Sequence, residues 1–212
     1  MRAVVLAVGI ALACAGAAWS APADPADPDA ALNTCLAGEE GKADQVIAAC
    51  TEALTRTDLS AEGMSVLHQR RATASFEGGD FQDAIIDFSE AVRLDPKSSA
   101  ALAGRGLAYY SREQYAQAIY DFTAALALNP DDLFSHSIRG VSYVKIDKYE
   151  AAVEDLTAVL SSKQGGTPMD HYYRGVAYLG LGDKAKAKAD FNACLKMVPD
   201  QSSCQQALSQ VK

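Results

Sequence analysis

One short phrase, an Arg, a small residue and an aromatic, returns at a nearly fixed interval. It reads RGLAYY from Arg105, RGVSYV from Arg139 and RGVAYL from Arg174, with a blurred copy, RRATAS, from Arg70. Aligned on the small residue (Ala72, Gly106, Gly140, Gly175), the steps are 34, 34 and 35 residues. A unit of that length is too small to bury its own apolar face, so each must stack on the next, and the period indicates a solenoid of helical hairpins. Other positions keep the same beat. An alanine stands 12 residues behind each small residue (Ala84, Ala118, Ala152, Ala187), and a large apolar side chain stands four further on (Phe88, Phe122, Leu156, Phe191).

Each recurring residue has a mechanical use. Glycine or alanine facing alanine lets two antiparallel helices cross at close range. An aromatic one turn away fills the wedge that the crossing opens. Phe81, Tyr115 and Tyr149 mark the start of the second helix of a unit. Asp95-Pro96, Asn129-Pro130 and Val198-Pro199 end units, because proline removes a helical donor and pushes the residue before it out of helical space.

These residues, above all the stretch RGLAYYSREQYAQAIYDFTAALALNP, resemble the tetratricopeptide repeat family. The resemblance implies an all-α fold, a right-handed superhelical solenoid of antiparallel helix pairs. Four units fall at 65–98, 99–132, 133–166 and 168–201, a degenerate first unit at 31–64, and a polar capping helix at 202–212. The unit at 133–166 departs from the pattern. Leu156 replaces the usual aromatic, and SSKQGGTP replaces the closing proline, so Gly165-Gly166 is expected to loosen that joint.

The ends carry a different message. Arg2, the apolar run Ala3 to Ala18 and the small residues of Ala18-Trp19-Ser20 predict an export signal, 1–20, cleaved after Ser20. A lipid anchor on Cys14 is disfavoured, because Ala11 stands where such a signal prefers Leu. The following APADPADPDA, 21–30, reads as a Pro/Asp/Ala tether with too few apolar side chains to pack. The expected location is therefore periplasmic or secreted, with no membrane insertion once the signal is removed. A formal net charge of -8 makes nucleic acid or an anionic bilayer a poor partner.

Beyond Cys14 there are four cysteines: Cys35, Cys50, Cys194 and Cys204. An even set in an exported chain points to disulfides, with three connectivities open. In the superhelix that the resemblance implies, the first and last units are too far apart to be bonded. That leaves Cys35–Cys50 and Cys194–Cys204, a staple at each end, with four free buried thiols as the alternative.

Nothing in the sequence assembles a catalytic set. H-E-x-x-H, G-x-S-x-G and the phosphate-cradling G-x-x-x-x-G-K are absent, and no metal or cofactor is expected. His68, His136 and His171 share one position of three units, where Leu102 stands in the fourth. Such rings serve either as an acid-sensitive seam that loosens on protonation or as bulky wedges, and the wedge is the expected use. Arg71, Arg105, Arg139 and Arg174 are each followed at a fixed distance by Asp87, Asp121, Asp155 and Asp190, which predicts a ladder of salt bridges.

The surface remains. In the family a ligand lies along the inner groove lined by the first helix of each unit. The resemblance carries that role to Phe76, to Leu107 and Tyr110, to Phe134 and Val141, and to Met169, Tyr172 and Leu179. The expected function is a non-catalytic scaffold or adaptor that holds a peptide or helix of a protein partner in the cell envelope. A holdase that carries unfolded envelope proteins in the same groove is the alternative.

Overall fold

Helix boundaries follow from capping chemistry. Ser60, Ser98, Asp132 and Asp183 each stand just before a helix and accept a hydrogen bond from a backbone N–H of its first turn. Thr167 and Asp170 cap reciprocally, with Pro168 as the first helical residue between them. At the other ends, Asp95, Asn129 and Val198, each before a proline, leave helical space with ψ of 89°, 86° and 93°.

The computed structural model describes residues 29–38 and 42–211. The expected export signal lies outside the described residues, as does the tether except for its last two residues. Eleven α-helices and no strand are found among the described residues. They are α1 (Ala30–Ala37), α2 (Ala43–Ala53), α3 (Ala61–Glu77), α4 (Phe81–Leu94), α5 (Ser99–Ser111) and α6 (Tyr115–Leu128). The series continues with α7 (Leu133–Lys145), α8 (Tyr149–Leu160), α9 (Pro168–Gly180), α10 (Lys184–Met197) and α11 (Ser202–Gln210).

Consecutive helices pack as antiparallel pairs, and each second helix also meets the first helix of the next pair. The small residues set the crossing distance. A Cβ at Gly175 would lie 2.6 Å from the Phe191 ring, and one at Gly140 would lie 2.8 Å from Leu156 Cγ. Both large partners are fully buried. The turn within a pair needs one residue in the left-handed region, supplied by Gly79, Glu113, Asp147 and Gly182 at equivalent positions.

The contact pattern also gives the stack its curvature. First helices touch along the series α1, α3, α5, α7, α9, α11, whereas no second helix touches the second helix of the next pair. A stack that is tighter along one row of helices bends toward that row, so the first helices form the inner, concave wall. Of the two glycines at the α8–α9 joint, Gly165 lies in the left-handed region with open space around it and Gly166 is closely packed. Gly166 packs so closely under Leu160 that a Cβ would lie 2.4 Å from Cδ2, and Ser137 Oγ donates across the joint to Asp170.

Disulfides tie both ends: Cys35 to Cys50, joining α1 to α2, and Cys194 to Cys204, joining α10 to α11. All four sulfur-bearing side chains are fully buried. Around the first lies a cluster that includes Val46, Ala53, Leu67 and Ala74, and beside the second one that includes Phe191, Ala207 and Val211.

Candidate functional site

Two arrangements recur along the stack, and only one faces solvent. The first is the arginine ladder. Arg105 donates from Nε and Nη2 to the two oxygens of Asp121, at 2.7 and 2.8 Å. Arg71, Arg139 and Arg174 make the same fork to Asp87, Asp155 and Asp190. The third nitrogen reaches into the preceding pair. Nη1 donates to Thr51, Ser89, Thr123 and Thr157 in turn. The ladder therefore clamps each pair internally and links it to its predecessor. The salt bridges follow the sequence expectation, but the hydroxyls were missed, although an Asp-x-Ser/Thr pattern recurs at 87–89, 121–123 and 155–157.

The histidines also belong to this ladder. Nδ1 of His68, His136 and His171 lies 2.8, 2.7 and 3.0 Å from the carboxylate of Asp87, Asp155 and Asp190. They are hydrogen-bonding partners of a buried anion, which corrects the expectation of a simple wedge. Nor does the geometry make an acid-opened seam, since a charged ring would meet a carboxylate. Leu102, in the remaining unit, is buried at 6% exposure. At Asp87, burial alone would push the carboxyl up, but the hydrogen bonds from His68 and Arg71 together outweigh it and hold it below the ordinary range. Each ladder guanidinium is pushed up, chiefly by its hydrogen bonds to the aspartate.

The second arrangement is an apolar strip on the inner wall. Val66, Phe134 and Met169, at equivalent positions of α3, α7 and α9, remain 42%, 50% and 38% exposed, with Ala100 of α5 exposed between them. Leu107 and Tyr110 are half-buried beside it. The Tyr110 ring packs 5.7 Å from that of Tyr115. Its phenol is pushed up, first by burial and then by the nearness of Tyr173 and Tyr115. Tyr173 was not anticipated. It lies on α9 with Lys145 Nζ of α7 5.9 Å from its ring centre, so side chains of three successive pairs, two of them aromatic-bearing, approach one another here.

Not every expected residue stands open. Val141 is 5% exposed, because α7 is flanked by both α5 and α9 and the middle of its inner face is closed. Tyr172 and Leu179 pack into the cluster of Phe191, Ala207 and Val211, so α11 covers the end of the strip. Phe76 is half-buried against Phe81, with ring centres 5.1 Å apart. The open part of the strip thus centres on α5, α7 and the start of α9.

Its electrostatics are distinctive. α5, α7 and α9 together carry one acidic residue, Asp170, and it is buried as a helix cap. Acidic side chains instead occupy the second helices and turns, such as Asp83, Glu113, Asp147 and Glu154. A short basic run, Lys184, Lys186 and Lys188, is exposed on α10, where Lys186 pairs with Asp183. Among the described residues no group of three His, Cys, Asp or Glu could hold a metal ion, and no helix is long and apolar enough to cross a membrane. The strip offers apolar area and ring faces, which suits binding a segment of another chain.

Comparison with known proteins bears on the fold. Sequence profiles described as Tetratricopeptide repeat match residues 99–132 and 168–201. No curated protein sequence matches the chain. Among solved structures, YrrB, described as a TPR protein with an unusual peptide-binding site, superposes with a TM-score of 0.70 at 17% identity, covering 79% of this chain and 84% of that one. MamA gives 0.69 at 22% identity, with 82% and 94% covered. TTC0263, a thermophilic TPR protein in Thermus thermophilus, gives 0.59 at 18% identity, with 86% and 98% covered. At these identities the likeness is one of fold.

Proposed function

The chain belongs to the tetratricopeptide-repeat family, and from that premise we propose that it is a non-catalytic scaffold whose inner strip holds a peptide or helix of an envelope protein. The observation that carries this is the exposure of Phe134 and Met169 on a wall without an exposed acidic group on α5, α7 or α9. Large apolar side chains kept in water along a concave surface lose that exposure when a partner segment is laid over them. Phe134 is the natural anchor, since buried aromatics dominate the energetics of interfaces. Leu107 and Tyr110 form the adjoining floor. The peptide-binding site named for YrrB supports this use of a similar fold.

The test is capture of partners from an envelope extract by the wild-type protein and by Phe134→Ala combined with Met169→Ala. Loss of a discrete partner in the variant, with its melting temperature unchanged, supports the proposal. Undiminished capture by the variant overturns it.

A further inference from the structure

Three methionines stand among the described residues, Met64, Met169 and Met197, in different surroundings. Met64 is half-buried on α3, and Met197, 50% exposed, closes the second helix α10. Met169 is the second residue of α9, 38% exposed, at the position that Phe134 holds in α7. Its sulfur has a specific neighbour. The side-chain amide of Gln201, just before α11, donates toward it with Nε2 3.7 Å from Sδ, and also donates to Ser203 Oγ at 3.1 Å. A thioether is only a weak acceptor. The contact thus sets a good donor beside an atom that a single oxidation step turns into a good acceptor.

We infer that Met169 is an oxidation site whose sulfoxide weakens the hold of the inner strip on a partner segment, an inference that rests on the proposed binding by that strip. The reactant is a two-electron oxidant such as hydrogen peroxide. Oxidation changes the site in two ways. The new oxygen accepts from Gln201, which draws the end of the side chain toward the α10–α11 connection. It also puts a polar atom where the partner's apolar surface has to lie. In the open strip that oxygen is hydrated. A segment laid over it removes the water, and Gln201 satisfies only part of its accepting capacity. Oxidation of Met197 carries no such penalty, because α10 is not part of the strip. A bound partner covers Met169 in turn, so the open strip is the form that reacts.

The chemistry balances. The sulfur lone pair attacks one oxygen of hydrogen peroxide and the O–O bond breaks. The departing hydroxide takes the remaining proton and leaves as water, so sulfur loses two electrons and the peroxide gains them. Reversal takes two thiols of a methionine sulfoxide reductase. They supply two electrons and two protons, close to a disulfide, and release the oxygen as water.

The experiment treats the full-length protein and its Met197→Leu variant with hydrogen peroxide and quantifies the sulfoxide at each methionine by peptide mass. Capture of a discrete partner from envelope extract is compared before treatment, after it, and after methionine sulfoxide reductase. Untreated protein taken through the same reductase step controls for its disulfides. Conversion of Met169 is expected to lower capture by about tenfold in both proteins, on the scale of covering a poorly satisfied polar group, and the reductase should restore it. A second readout needs no partner: the Gln201 side-chain amide resonance should shift on oxidation in both proteins. Undiminished capture with Met169 fully converted overturns the inference. Loss of capture while Met169 is unmodified, or a Gln201 resonance that does not move, overturns it too. If the untreated protein captures no discrete partner, the binding proposal fails first and takes this inference with it, a result seen before any oxidant is added.

Discussion

Arg105 holds Asp121 in a two-point fork, Nε to Oδ2 and Nη2 to Oδ1, and the carboxylate is almost wholly buried at 1% side-chain exposure. This rung is the only one of the four Arg–Asp rungs without a histidine, so the guanidinium alone balances the anion. The same arginine donates to Ser89 of the preceding pair, which makes one side chain responsible for both folding a pair and stacking it. Removing the arginine while keeping the carboxylate strands a buried charge. Arg105→Ala is expected to destabilise the protein by about 3–5 kcal/mol in denaturant unfolding. Loss of less than about 1 kcal/mol would show that the fork is not needed for stacking.

The histidine rungs differ in a measurable way. His136→Leu copies the unit that carries Leu102. It removes a hydrogen bond to a charged group, worth about 1.5–3 kcal/mol, and returns part of that through added apolar burial. A net loss of about 1 kcal/mol is expected from the shift in urea midpoint. An unchanged or raised midpoint would restore the wedge interpretation of these rings.

Acid should act on the ladder through Asp87. Its folded-state carboxyl is held below the ordinary range, so the folded state binds the proton less readily than the unfolded chain does. Its contribution is therefore complete above about pH 4, the unfolded value, and is lost as pH falls through the lower folded value. Asp87→Asn is expected to flatten the stability profile below about pH 4 while lowering stability at neutral pH. The check is a series of thermal melts from pH 2 to pH 7 on both proteins, on the scale of carboxylate titration. Parallel acid limbs would contradict the assignment.

Much of the architecture was readable before any coordinates, because the fold is written in periodic residues whose job is local. The Arg–Asp fork was legible since both partners recur at one distance. The histidines were misread because an imidazole is bulk and hydrogen-bonding group at once, and residue type alone does not say which atom faces it. Val141 was misplaced for another reason. Whether an inner-wall position stays open depends on how close the neighbouring first helices come, a distance between repeats that one repeat's pattern does not encode. The cover over Tyr172 and Leu179 likewise depends on where α11 docks.

The left-handed turn position gives a prediction about the backbone. Glu113 and Asp147 have φ of 59° and 58° where the equivalent residues of two other pairs are Gly79 and Gly182. An L side chain in that region costs roughly 1–2 kcal/mol, offset in part by the entropy that glycine loses on folding. Glu113→Gly is expected to stabilise the protein by roughly 0.5–1 kcal/mol. Asp147→Gly should gain less, because the Asp147 carboxylate accepts a hydrogen bond from the Tyr149 hydroxyl. Equal gains at both sites in thermal melts would contradict this.

Whether the inner strip receives the partner is tested most directly by site-specific photo-crosslinking in the living source cell. One protein carries the photoreactive residue in place of Phe134 on the inner wall, and another carries it in place of Tyr120, which is 74% exposed on the second-helix row. A discrete protein adduct at position 134 and none at position 120 is the predicted result. An adduct at 120 with none at 134 would place recognition on the second-helix row and contradict the inner strip as the site.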